Sequence, residues 1–232
     1  MHVKPTRTEP GRRLVTAACA AALTAAALGG CAVQDKSATS RYGIDAAVTA
    51  LRVTTKGGNV EVAAGDGSGV RVTEKIRYSG DKPRTEHSVS GGRLTLTAPG
   101  CDNDCGVDYT VSVPPGTALA LDTEGGNITV RDIDGPVEAR TGGGNVRVTG
   151  AAPKTLSART DGGNIEASLT RPPSSVDTET GGGNITVRLP RGTYAVDAST
   201  GGGRTDVSVP TDPESPHRVR ARTSGGNLTV SS

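Results

Sequence analysis

Residues 137–187 read Val-Glu-Ala-Arg-Thr141-Gly-Gly-Gly-Asn145-Val-Arg-Val148, then, after a short loop, Leu156-Ser-Ala-Arg-Thr160-Asp-Gly-Gly-Asn164-Ile-Glu-Ala167, then Val176-Asp-Thr-Glu-Thr180-Gly-Gly-Gly-Asn184-Ile-Thr-Val187. Apolar and polar residues alternate on both sides of each Gly-Gly-Asn, which is the period of a strand with one buried face. Gly and Asn supply the backbone freedom a tight turn needs. The unit is therefore strand, turn, strand, variable loop.

The unit recurs outward from this stretch. Gly-Gly-Asn turns also stand at 56–60, 124–128 and 224–228, a degenerate Gly-Gly-Gly-Arg-Thr at 201–205, and a weak Ser-Gly-Gly-Arg-Leu at 90–94. Counting from Asn127, the equivalent positions fall at 145, 164, 184, 204 and 227, and Thr closes the strand before each of these turns. Self-similarity of this kind marks a repeat architecture. Two arrangements hold it: an antiparallel β-sandwich in which each turn is a hairpin, or a solenoid in which equal positions stack. Hairpins need turn chemistry but not the same Thr and the same Asn every time, whereas stacking rewards sameness. The expected class is all-β, a β-solenoid of roughly 20-residue two-strand coils, with the antiparallel β-sandwich as the alternative. Asn59, Asn127, Asn145, Asn164, Asn184 and Asn227 are expected to be structural turn residues bonded to their copies. Asn164 should have a buried amide with neighbours on both sides, and Asn227, in the last coil, a neighbour on one side only.

Composition agrees. The 232 residues are 33% hydrophobic and 2% aromatic, with no Phe and no Trp. That excludes a stacked aromatic platform for single-stranded nucleic acid. Narrow coils closing on Val, Ile, Leu, Ala and Thr have little room for large rings.

The N-terminus reads as an address. Lys4, Arg7, Arg12 and Arg13 precede an uncharged apolar run from Leu14 to Gly30, which ends in Leu28-Gly29-Gly30-Cys31. A basic segment, an apolar segment and small residues before the cut make a secretory signal, and the run is short for a membrane span. The Cys after Leu-Gly-Gly resembles a bacterial lipobox, which implies cleavage before Cys31 and a lipid on its thiol. An ordinary signal with a chance Cys is the alternative, and Arg12-Arg13 fits twin-arginine export poorly. The expected organisation is signal peptide 1–30, lipidated tether 31–44, irregular N-terminal β region 45–114 and regular Gly-Gly-Asn region 115–232. Without residues 1–30 the chain holds 22 basic and 23 acidic residues. Such a balance gives no electrostatic footprint for nucleic acid, so the expected partners are the membrane, through the anchor, and an unidentified envelope or extracellular ligand.

Cys101 and Cys105 remain, in Cys-Asp-Asn-Asp-Cys. An exported compartment permits a disulfide between them. Zinc would want two more ligands. Asp102, Asp104 and Asp108 invite calcium but lack the spacing of a known loop. No serine-hydrolase elbow and no phosphate loop occurs, and Gly-Gly-Asn does not meet the calcium-binding nonapeptide. The Asn-x-Thr sequons at Asn127, Asn184 and Asn227 are by-products of the repeat. No cofactor and no catalytic residue is expected.

The recurring turns, together with Val-Pro-Pro-Gly at 113–116, resemble the bacterial adhesin family that carries a domain of unknown function built of Gly-Gly-Asn β-strand repeats. The resemblance covers roughly residues 45–232. It implies a β-solenoid, and it supplies no catalytic residues. Three function classes follow: a non-enzymatic surface lipoprotein acting as an adhesin-like scaffold; a structural or regulatory envelope lipoprotein working through a protein partner; and an enzyme on polysaccharide, for which Asp177 with Glu179 is the candidate acid pair.

Overall fold

The computed structural model describes residues 36–99 and 105–232. Its strands are β1 (Lys36–Ile44), β2 (Ala50–Thr55), β3 (Val60–Ala64), β4 (Val70–Tyr78), β5 (Glu86–Ser90), β6 (Arg93–Thr97), β7 (Cys105–Val113), β8 (Ala118–Thr123), β9 (Ile128–Arg131), β10 (Val137–Thr141), β11 (Val146–Ala151), β12 (Thr155–Thr160), β13 (Ile165–Leu169), β14 (Ser175–Thr180), β15 (Ile185–Arg188), β16 (Ala195–Thr200), β17 (Thr205–Val207), β18 (Arg218–Thr223) and β19 (Leu228–Ser231). They form two sheets, ordered β1-β4-β7-β3-β9-β11-β13-β15-β19-β17 and β16-β18-β14-β12-β10-β8-β2-β6-β5.

Each Gly-Gly-Asn turn carries the chain from one sheet to the other, so a coil is one strand of each. Successive coils pair in parallel and in register: Val137 lies between Leu119 and Leu156, and Thr141 between Thr123 and Thr160. This is a β-solenoid, and the sandwich alternative falls, because hairpins would have paired the strands flanking each turn with each other. Inward positions are Val, Ile, Leu and Ala. Val53, Val60, Ile128, Ala139, Ala158, Ile185 and Ala221 have no exposed surface. Burying each Val or Ile side chain contributes about 1.5–3 kcal/mol.

Three expectations need correction. Residues 36–44, expected as part of a tether, form β1, which pairs antiparallel with β4 along its whole length. Its alternate residues are half-buried, so small and polar as it is, it has one face to bury. Second, regularity begins before residue 115. The coil β2–β3 stacks directly on β8–β9, although its Asn59 and Asn127 are far apart in sequence. The irregular part is the insertion between them. There β6 and β7 form one more parallel coil and β4 and β5 add antiparallel strands; β1, from ahead of β2, pairs with β4 and completes this end. Third, the weak copy at 90–94 is a hairpin turn between β5 and β6. Gly91 and Gly92 have φ of 55° and 74°, the positive values a two-residue hairpin demands.

At the other end, sequence order and spatial order part company. β18 lies between β14 and β16, and β19 between β15 and β17. The coil 218–231 is thus seated inside the stack, and the earlier coil 195–207 is outermost. Asn227 consequently has neighbours on both sides, contrary to the expectation from sequence order.

Candidate functional site

Two hydrogen-bond columns run up the turns. In the first, the Asn side-chain oxygen of one coil accepts from the backbone N–H of the Asn in the next. Asn127 N donates to Asn59 Oδ1 at 2.9 Å, and Asn145, Asn164, Asn184 and Asn227 continue at 2.8 Å each. The column has a polarity. It starts at Asp108, an acceptor with no amide, which takes Asn59 N at 2.8 Å and is held by Arg77 at 3.0 Å. It ends at Arg204, whose N–H donates to Asn227 Oδ1 at 3.0 Å and whose side chain has no oxygen to pass on. The degenerate copy can only be last. The Asn side chains are exposed, not buried as expected, because they cross the surface of the turn.

The buried column is Thr. Thr160 Oγ1 donates to Gly144 O of the preceding coil at 2.7 Å and accepts Gly163 N of its own coil at 3.1 Å. Thr123, Thr141, Thr180 and Thr223 repeat the pattern. Thr55, facing the cap coil rather than a Gly-Gly-Asn turn, is buried with no partner for its hydroxyl.

Outward positions carry charge in ladders. On the nine-stranded sheet, Arg159 reaches Asp177 at 2.5 Å and Glu179 at 3.5 Å, and Asp197 takes Arg222 at 2.9 Å and Arg220 at 3.5 Å. The three strands nearest the open end therefore run acidic (β14), basic (β18), acidic (β16). On the ten-stranded sheet Glu166 takes Arg147 at 3.1 Å and Arg188 at 2.9 Å, and Arg131 pairs with Glu61. Asp177 and Glu179 thus share one partner, Arg159.

The two ends differ. At the β1/β5 end the Tyr42 ring stacks on His87 with centroids 4.7 Å apart, bridging the sheets. Below it Glu74, 3% exposed, accepts from Tyr42 Oη at 2.6 Å and from Thr85 Oγ1 at 3.0 Å. Burial, reinforced by the Glu74 carboxylate, pushes the phenols of Tyr42 and Tyr109 well above their ordinary value. At the β16/β17 end the interior is open. A cleft of about 810 Å³ is lined by Val176, Val196, Val207, Val209 and Val219 together with Asp177, Asp197, Arg218 and Arg220. Val207 is 37% exposed, whereas its register partner Val230 is fully buried.

Cys31 and Cys101 lie outside the described residues. Cys105 opens β7, half-buried, beside the turn of the first coil. Asp108, weighed as a calcium ligand, is committed to the Asn column, a role the sequence reading missed. Its signal was the spacing: Gly106-Val107-Asp108-Tyr109 aligns with Gly57-Gly58-Asn59-Val60. Among the described residues no group of three His, Cys, Asp or Glu side chains is placed to hold a metal.

Comparison with known proteins agrees with this architecture. A family model described as Toastrack DUF4097 matches residues 108–231. The structure of a "putative cell adhesion protein" from Clostridium sporogenes superposes with a TM-score of 0.51 at 15% identity, covering 84% of this chain and 99% of that one. A "putative adhesin" from Bacteroides fragilis gives 0.45 at 16% identity, over 84% and 96%. At these identities the first likeness speaks to the fold alone. No curated relative matches the chain significantly.

Proposed function

The chain belongs to the Toastrack DUF4097 family, and on that footing we propose that it is a non-enzymatic, adhesin-like binding scaffold of the bacterial envelope, held at the extracytoplasmic face by a lipid on Cys31. The observation that carries this reading is the outer surface. Many of its acids and arginines pair with one another from coil to coil, so what it offers a ligand is a periodic face. Asp177 and Glu179, the candidate acid pair for a hydrolase, are both engaged by the same Arg159. The Clostridium sporogenes structure of the same fold bears a cell-adhesion name, which supports the same reading.

A second reading, a lipoprotein that works through a protein partner, is favoured by one feature: the open β16/β17 end, where aliphatic and charged residues share one cleft. The anchor and the disulfide belong to both readings. Cys31→Ser should shift the protein from the membrane fraction to the soluble fraction or leave it unprocessed. A non-reduced digest should contain a peptide joining Cys101 to Cys105. For function, cells displaying the wild type are compared with deletion and Cys31→Ser cells for attachment to arrayed glycans and host-matrix proteins. Equal attachment by all three overturns the adhesin reading.

A further inference from the structure

Both sheets end at the same place in unpaired strands. In β16, Ala195 N bonds to His217 O, and Gly201 N to Thr223 O. In parallel pairing alternate residues face opposite sides, so 195, 197, 199 and 201 face β18, and the N–H and C=O groups of Val196, Ala198 and Thr200 face away. One position is already taken: Tyr194 N donates to Pro210 O, and Asp212 N to Tyr194 O, so the loop after β17 covers the start of this edge and leaves 196–200 open. In β17, Ser208 N bonds to Val230 O, which leaves Thr205 and Val207 facing out.

The chemistry of the missing neighbour is written in the existing ones. Inward, it must carry aliphatic residues to close the cleft over Val196, Ala198 and Val207. Outward, a strand added to β16 would meet Asp197; Asp206 belongs to β17, the end strand of the other sheet. The outward run acid, base, acid over β14, β18 and β16 calls for a base next. Asp206 is exposed and makes no ion pair, unlike Asp197. A second copy docked edge to edge about a two-fold axis would bring Asp206 opposite Asp206 and β16 acids together, which electrostatics disfavours. At the turn, each Gly carbonyl up to Gly226 accepts a Thr hydroxyl from the next coil, Thr200 included, at 2.7 Å. The Gly203 carbonyl is the next acceptor in that series.

We propose that the β16/β17 edge is a docking site for a protein partner's extended strand, added in parallel to β16, with aliphatic residues alternating with Arg or Lys and a Thr at its end. The chain contains one segment of this design, Arg218-Val-Arg-Ala-Arg-Thr223, and it is the strand that β16 accepts on its other side. Strand addition of this kind draws affinity from main-chain bonds and selectivity from alternate side chains. The inference does not depend on where the protein is anchored or on whether its ligand is a glycan.

The test uses the full chain and two acetylated hexapeptides, Arg-Val-Arg-Ala-Arg-Thr and Glu-Val-Glu-Ala-Glu-Thr, with binding and amide hydrogen exchange as readouts. The Arg peptide is expected to bind at least about tenfold more tightly at low salt, with the preference shrinking as salt rises. It should protect the amides of 196–200 while β18 stays protected. Val196→Pro removes an outward N–H without touching the β18 ladder and should weaken binding, whereas Asp206→Lys, on the other sheet, should leave the affinity of the Arg peptide unchanged. Equal affinity of the two peptides, protection confined to β1 or β5, or loss of protection in β18 through strand exchange would each overturn the proposal. Concentration-dependent self-association that protects 196–200 without peptide would assign the edge to a second copy and overturn it too. Failure of these arms leaves attachment to surfaces a separate question, so the two readings fail independently.

Discussion

At the turns, neighbouring residues of one type have unlike duties. A Cβ on Gly144 would run into the Gly126 carbonyl of the coil below, whereas one on Gly143 would meet nothing within 4 Å. Gly144→Ala should cost about 1–3 kcal/mol through forced displacement of that carbonyl. Gly143→Ala, at a position without positive φ, should be neutral or stabilise by up to about 1 kcal/mol by narrowing the unfolded ensemble. Thermal melts of the pair check this. The Thr column should outrank the Asn column for the same kind of reason. Thr160→Val leaves the buried Gly163 N–H and the Gly144 carbonyl without that partner, at about 1–3 kcal/mol for each group left unsatisfied. Asn164→Ala frees an amide that water can reach, so the cost is smaller. Asn227→Ala should match Asn164→Ala, since both have neighbours above and below. The tyrosines at the closed end set a pH limit. Their pKa is raised in the fold, first by burial and then by Glu74, so the fold favours the protonated phenol. That contribution is complete below about pH 10 and is lost as pH rises above it, by about 1.4 kcal/mol per pH unit for the buried Tyr109. Urea unfolding from pH 9 to 11.5 should show this slope, and Tyr109→Phe should flatten it.

Among strands, charge explains an arrangement that pattern alone does not. Val176, Val196 and Val219 occupy equivalent inward positions, so any of their strands packs equally well against the others. Outward, Asp177 and Glu179 on β14 would face Asp197 if β16 stacked next in chain order. With β18 between them, Arg220 and Arg222 separate the two acidic strands. Reversing both with Arg220→Glu and Arg222→Glu should speed hydrogen exchange across β16 and β18 and lower the melting temperature, with added salt restoring part of the loss. The sequence made the coils themselves legible, because Thr-x-Gly-Gly-Asn flanked by alternation is a local signal. It did not reveal the seating of 218–231, because the decisive contacts lie between strands that are not consecutive. Nor did it reveal β1: its inward positions are Ala38, Ser40, Tyr42 and Ile44, an alternation too weak at its start to stand out, and its order comes from pairing with β4. The hairpin at 91–92 read as a coil turn because its two glycines are shared by both structures and only the sign of φ tells them apart.

For the assembled stack, energies are close to sums over neighbouring coils. The outermost coil touches its sheet neighbours on one side only: β16 pairs with β18, and β17 with β19. Deleting 218–232 should therefore cost the order of two coils. Exchange protection is expected to vanish over 195–207 as well, while β8 to β15 keep theirs. Retained protection at 196–200 would mean that β16 had repacked on β14 against the charge pattern. The inserted coil also has a consequence in time. A chain that emerges N-terminus first can lay coil upon coil as far as β15. The segment made next, 195–207, has no seat that spares Asp197 from Asp177, so it idles until 218–231 has emerged and wedged in beneath it. Synthesis interrupted between residues 208 and 217 leaves the coils up to β15 formed and 195–207 unseated. The last two coils are then completed together, and a protease tells a finished molecule from an aborted one by whether residues 195–217 are still loose.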